Sequence, residues 1–130
     1  MSFSPEQLRT VSWSCVHFAN EVPPLAEFEI SGVEVFEIDA EPIHDKGELL
    51  AAIAASMRFP DYFGGNWDAL DESLRDLSWL GGSGYALIVR DAGHLWRDHH
   101  RVAANLIESW LLCAGHWAAR EVPFNIVFEW

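Results

Sequence analysis

Asp68 and Glu72 stand one helical turn apart in the stretch Asn66-Trp67-Asp68-Ala69-Leu70-Asp71-Glu72-Ser73-Leu74-Arg75-Asp76-Leu77. Paired carboxylates at that spacing can trade a proton as general acid and base, or share a metal ion. Acid–base work needs surroundings that push the two pKa values apart, and the neighbouring residues supply no apolar pocket to do so. At about 100° per residue, Trp67, Leu70, Leu74 and Leu77 share one side of a helix, and Asp68, Asp71, Glu72 and Asp76 the other. Like charges this close destabilise an isolated helix by roughly 0.2–0.5 kcal/mol per pair. Arg75 relieves only part of that repulsion. The plainest reading is a solvated face. The aromatic turn Tyr62-Phe63-Gly64-Gly65 just ahead of it favours a binding surface built to meet positive charge.

A second group, Asp91, His94, Asp98, His99 and His100, combines residue types that bind zinc and other transition metals. Its spacing matches no tight ligand motif and contains no HExxH, so helix capping and surface histidines explain it more simply. His17, His44 and His116 are isolated along the chain. The Gly81-Gly82-Ser83-Gly84 loop lacks the Lys-Ser/Thr pair of a phosphate loop. No GxSxG or Cys-His signature is present. The expectation is a protein without catalysis, metal or cofactor.

The 130 residues suit one domain with one real core, and 50% hydrophobic against 22% charged residues marks a globular chain. The formal net charge of −12 repels nucleic acid and anionic membranes and attracts basic proteins. No apolar run approaches the roughly 18 residues of a membrane span. The first residues, Met1-Ser2-Phe3-Ser4-Pro5-Glu6-Gln7, have neither the basic nor the apolar segment of a signal peptide. Cys15 and Cys113, far apart in sequence, read as two reduced thiols of a cytoplasmic protein.

Several elements can be placed from pattern alone. Residues 12–19 read as a strand ended by Pro23-Pro24. Glu27-Phe28-Glu29-Ile30 and Val33-Glu34-Val35-Phe36-Glu37-Ile38 alternate around Ser31-Gly32, which predicts a β-hairpin. Asp45 and Glu48 have capping-box spacing and open a helix to about Met57. Asn66 is a good N-cap for the acidic helix. The nearly continuous apolar run Tyr85–Val89 predicts an inner strand. A long helix is expected from a cap at Asp98 to about Ala119, followed by a last strand over 124–128. Strands alternating with helices predict a parallel α/β sheet.

The segment Phe59-Pro60-Asp61-Tyr62-Phe63-Gly64-Gly65-Asn66-Trp67-Asp68-Ala69-Leu70 strongly resembles the core motif of the barstar family, intracellular inhibitors of secreted bacterial ribonucleases. The resemblance extends over about residues 34–130 in the order of its elements. It implies a barstar-like fold, a small three-stranded parallel sheet packed with helices, over residues 34–130. Residues 1–33 are then an N-terminal extension packed on that core and adding the hairpin.

In this family the inhibitor inserts an acidic helix and its preceding loop into the cationic cleft where the ribonuclease binds RNA, and its carboxylates stand in for phosphate. By motif position, Tyr62 is similar to the aromatic that packs on the enzyme's catalytic histidine, and Asp68 to an interface carboxylate. Glu72 falls at the central carboxylate, where the founding member has Asp. Asp71 falls where that member has Trp, and Trp67 where it has Leu. Asn66 matches. Trp79 lies near the family's loop aromatic, and the acid of the family's last helix falls near His116.

The expected partner-binding residues are Tyr62, Phe63, Asn66, Trp67, Asp68, Asp71, Glu72, Asp76 and Trp79. The expected function is inhibition of an extracellular-type bacterial ribonuclease by a cytoplasmic protein, monomeric when free, that contacts neither nucleic acid nor membrane. Two rivals stand beside it. One is an immunity or adaptor protein for another basic partner or related toxin. The other is a carboxylate- or metal-dependent hydrolase.

Overall fold

A computed structural model describes residues 3–11, 14–29 and 32–130. Its centre is a parallel sheet of four strands, β1 (Val16–Ala19), β2 (Val33–Asp39), β3 (Gly84–Arg90) and β4 (Phe124–Glu129), in the order β1-β4-β3-β2. The apolar run of β3 does put it inside the sheet, paired on one side with β2 from Val33↔Gly84 to Asp39↔Arg90 and on the other with β4. Strands covered on both faces have no need of polar alternation.

The resemblance implies a three-stranded sheet over residues 34–130, and four strands are found. The additional strand is β1, which pairs with β4 from Val16↔Ile126 to Ala19↔Glu129. The expected hairpin does not form. Leu25–Phe28 is a turn of 3₁₀ helix, and β2 pairs in parallel with β3 instead of turning back on a neighbour. Ile30 and Ser31 of that hairpin lie outside the described residues. Burial explains the difference, because Phe28 is driven into a cluster with Phe3, Leu8, Ala19, Val22, Ala86, Ile88 and Val127. Burying one Phe side chain is worth about 1.5–3 kcal/mol, which outweighs a local pattern of alternation.

That cluster covers one face of the sheet. The other face meets the helices α1 (Lys46–Ser56), α2 (Trp67–Asp76), α3 (Gly93–Asp98) and α4 (His100–Ala118), where Leu49, Leu50, Ile53, Leu70, Leu74, Leu95, Leu106 and Trp110 pack on Phe36, Leu87, Val89, Ile126 and Phe128. Trp110 stacks flat on Phe124 with ring centroids 4.1 Å apart. α1 begins as expected: Asp45 accepts a hydrogen bond from the Glu48 backbone N–H at 2.8 Å. Glu48 returns the contact one residue early, accepting from the His44 N–H at 3.0 Å.

The long helix expected from Asp98 is divided. α3 ends at Asp98, His99 leaves helical geometry at φ −135°, and α4 starts at His100. His99 supplies the carbonyl that the N–H groups of Val102 and Ala103 donate to, so it and not Asp98 opens α4.

The residues ahead of β2 are tied to the sheet by polar groups as well. Asn125 is buried on the sheet face they cover; its amide donates to the Leu8 and Thr10 carbonyls, and its oxygen lies 2.9 Å from His17 Nε2. Arg90 donates to the Val22 and Pro23 carbonyls at 2.8 and 2.7 Å and pairs with Glu37 and Glu129. Charge-assisted hydrogen bonds to a half-buried guanidinium are among the stronger polar contacts available to a protein.

Candidate functional site

The turn between α1 and α2 is built on aromatic packing. Phe59 meets Phe63 edge-on at 5.0 Å and Trp79 at 5.7 Å. The Trp79 indole N–H donates to the Met57 carbonyl at 3.0 Å, fastening the end of α1 from below. The Phe63 N–H donates to the Pro60 carbonyl and closes the bend. Gly65 follows with φ +70°, a left-handed geometry that glycine adopts at no steric cost. The chain is thereby aimed so that Asn66 caps α2, accepting from the Ala69 N–H at 2.8 Å. Held on this frame, Tyr62 stands 74% exposed.

α2 divides by face. Leu70, Leu74 and Leu77 are wholly buried. Asp68, Glu72 and Asp76, spaced by four residues and so about 6 Å apart along the axis, are exposed. None of the ion pairs among the described residues involves them. The ridge they form is flanked by two depressions. One of about 150 Å³ lies between the turn and the helix, lined by Tyr62, Phe63, Gly64, Ala69, Glu72, Ser73 and Asp76. The other, about 250 Å³, lies between α2 and α4, among Trp67, Asp68, Asp71, Asn105, Glu108 and Leu112.

The sequence placed Asp71 on the outer acidic face; the structure puts it in the seam between α2 and α4. Its side chain is half-buried and its Oδ1 is enclosed with no hydrogen-bond partner. It follows Trp67 by one turn, and the two share the edge of the apolar side. Cys113 of α4 is its neighbour. Burial, and after it the Asp71 charge, pushes the Cys113 thiol up from 9.0 to about 11. The same seam holds the Trp117 indole N–H, which donates to the Leu74 carbonyl at 2.7 Å.

Of the nine residues expected to bind a partner, Tyr62, Asn66, Asp68, Glu72 and Asp76 are exposed together. Phe63, Trp67, Asp71 and Trp79 are half-buried around and beneath them. Asn105, Glu108 and Leu112 extend the same surface and were not foreseen. Only the core stripe of α4 is periodic, and nothing local says that its outer face runs beside α2. His116, near which the resemblance puts the acid of the family's last helix, has its pKa lowered by burial and by the Arg120 and Arg75 charges. No acidic contact is available from that residue.

The histidine group of residues 91–100 is also rearranged. Asp91, Asp98 and His100 are exposed, while His94 and His99 face each other and a third ring, His44. Among the described residues no group of three or more His, Cys, Asp or Glu side chains could hold a metal ion.

A scan against protein-family models matches residues 33–129 to the family described as Barstar (barnase inhibitor). That match spans well over half of the chain, which therefore belongs to the barstar family. The α/β fold, with its parallel sheet and packed helices, is barstar-like. A search of curated proteins found no match. No described helix is long and apolar enough to cross a membrane.

Proposed function

We propose that this protein inhibits an extracellular-type bacterial ribonuclease by seating α2 and the Tyr62 turn in the enzyme's cationic cleft. The observation that carries this reading is the row Asp68, Glu72 and Asp76: three exposed carboxylates on one helix face, beside an exposed Tyr62, in no ion pair among the described residues. A chain that retains such repulsion on a rigid, capped helix has positive charge to gain from a partner. The central carboxylate is Glu72, with Asp68 and Asp76 about 6 Å to either side. Tyr62 supplies the flat aromatic contact, and Phe63, Asn66, Trp67 and Trp79 hold the geometry.

Inhibition in this reading is steric and electrostatic, with no bond made or broken and no metal or cofactor. The partner is a basic ribonuclease. Neither nucleic acid nor membrane is bound, and the free protein is a cytoplasmic monomer. The unit that binds is the barstar-like domain of residues 34–130, with residues 1–33 as an added layer. Two departures from the founding inhibitor favour a different enzyme surface. Glu72 replaces Asp and reaches one methylene further. Asp71 replaces Trp and turns into the seam with α4. One misplaced charge is enough to change the preferred partner, and an immunity role toward a related basic toxin uses the same surface.

The test is titration of the full chain into a barnase-type ribonuclease cleaving a fluorogenic RNA. Cleavage is expected to stop near one equivalent and to recover with Tyr62→Ala. Undiminished cleavage in a large molar excess of inhibitor, across a panel of such enzymes, would refute the reading.

A further inference from the structure

Phe18 of β1, Trp96 of α3 and Trp130 after β4 come together at the β1 edge of the sheet, the edge opposite β2. Their ring centroids stand 5.8, 6.0 and 6.4 Å apart, and the planes of Trp96 and Trp130 are turned 62° and 85° from that of Phe18. Rings set at such angles line the walls of a corner. The corner opens on a cavity of about 430 Å³ bounded by these three rings, Ala19 and Asn20. That volume lies within the roughly 300–1,000 Å³ of small-molecule sites. Phe18 stacks on Phe128 through one face at 5.4 Å and is still 47% exposed, and Trp130 is 53% exposed. Phe18 and Trp130 also lie outside the stretch matched to the family.

We propose that Phe18, Trp96 and Trp130 form a site for a small quaternary ammonium ion of the choline type. A cation standing about 3.5 Å out from the plane of the three centroids is about 5 Å from each ring, and no ring has to move. That separation is within the ~6 Å reach of a cation–π contact. Among the described residues that line the cavity none is charged, and Asn20 alone offers a side-chain hydrogen-bond acceptor. A primary ammonium brings three N–H donors into such a cavity and loses the water that satisfied them. A trimethylammonium group has no donors to satisfy and lays its methyl groups against the rings. Charge favours the same ligand. The molecule carries −12, and Trp130 also borders a second depression where Glu41 and Asp91 outnumber Arg97, beside His94. The cavity shares no residue with the acidic face of α2.

The measurement is titration of the full chain with choline, followed by the methyl proton resonance, which ring currents move upfield when methyl groups sit over aromatic faces. A saturable single-site isotherm is expected. Two analogues separate charge from shape. The uncharged isostere 3,3-dimethylbutan-1-ol and the unmethylated ethanolamine should each bind at least tenfold more weakly than choline. Phe18→Leu and Trp130→Leu keep the net charge and an apolar side chain but remove a ring, and each should weaken choline binding at least tenfold. Leu111→Ala, at an exposed position on α4, leaves it unchanged. If Phe18→Leu fails to fold, the exposed Trp130→Leu decides the matter. Phosphatidylcholine vesicles bear the same head group and should sediment without the protein. No saturable shift, equal binding of the isostere, or binding that survives Trp130→Leu would overturn the proposal. Co-sedimentation with the vesicles would overturn its assignment to a free solute. None of these results bears on inhibition of a ribonuclease.

Discussion

Cys113 shows how a single side chain records its surroundings. Its thiol is fully buried in the α2–α4 seam, and burial with the Asp71 charge raises its pKa from 9.0 to about 11. Above pH 9 the unfolded chain gives up this proton while the folded chain keeps it. The group's contribution to stability is thus fully present below pH 9 and is lost as pH rises toward 11. Denaturant melts should show stability falling across that window, and Cys113→Ala should reduce the fall. Cys15 and Tyr85, both raised by burial, retain part of it. A fall of the same size in Cys113→Ala would mean that the thiol does not titrate as its packing requires. Asp71, the other half of this contact, marks where residue-level reading stops. Its place on the helical wheel lies between the two faces, and only the neighbouring helix decides which one it joins.

At the scale of elements, the caps of α1 and α2 were legible in the sequence because each acts within three residues, whereas the cap expected at Asp98 was not found. Asp45 and Asn66 accept from the N–H groups of Glu48 and Ala69 as their spacing predicts. Asn66→Ala should destabilise the protein by about 1 kcal/mol, read as a lower denaturation midpoint with an unchanged slope. No change would show that the aromatic turn alone sets the start of α2. Inner strand β3 was legible too, since an apolar run of that length has few other homes. The hairpin was misread because Phe28 answers to a distant partner surface, the far face of the sheet. The break at His99 carries no glycine or proline to announce it. The order and number of strands depend on which segments pair across the whole chain, and β1 joins β4 more than one hundred residues away.

Taken whole, the molecule is a sheet with two covers. Helices cover one face, and the segment ahead of β2 covers the other with Phe3, Leu8, Val22 and Phe28. The family match begins at residue 33 and leaves that second cover outside it. Removing residues 1–32 should bare Ala86, Ile88 and Val127 and strip Asn125 and Arg90 of their carbonyl partners. The truncated chain is expected to melt lower and to aggregate, since exposed apolar patches of this kind associate. A soluble truncated chain with an unshifted melting temperature would show the segment to be dispensable for folding.

The net charge of −12 also belongs to the whole molecule, and association with the proposed cationic cleft is expected to be fast and sensitive to salt. Where that charge is spent is a local matter: Glu72 sits at mid-helix, and Asp61 lies exposed in the turn itself, off the acidic row of α2. Losing a central, desolvated charge commonly costs about 2 kcal/mol or more, a range to which complexes of this family themselves contribute, and a rim charge costs much less. The most direct measurement is therefore the dissociation constant of the cognate ribonuclease for the wild-type chain, Glu72→Ala and Asp61→Ala, with association rates followed across salt. The expected result is a loss of roughly thirtyfold or more for Glu72→Ala, a smaller loss for Asp61→Ala, and association that slows as salt rises. Equal losses, a larger loss for Asp61→Ala, or rates that stay flat across salt would contradict a binding face centred on Glu72.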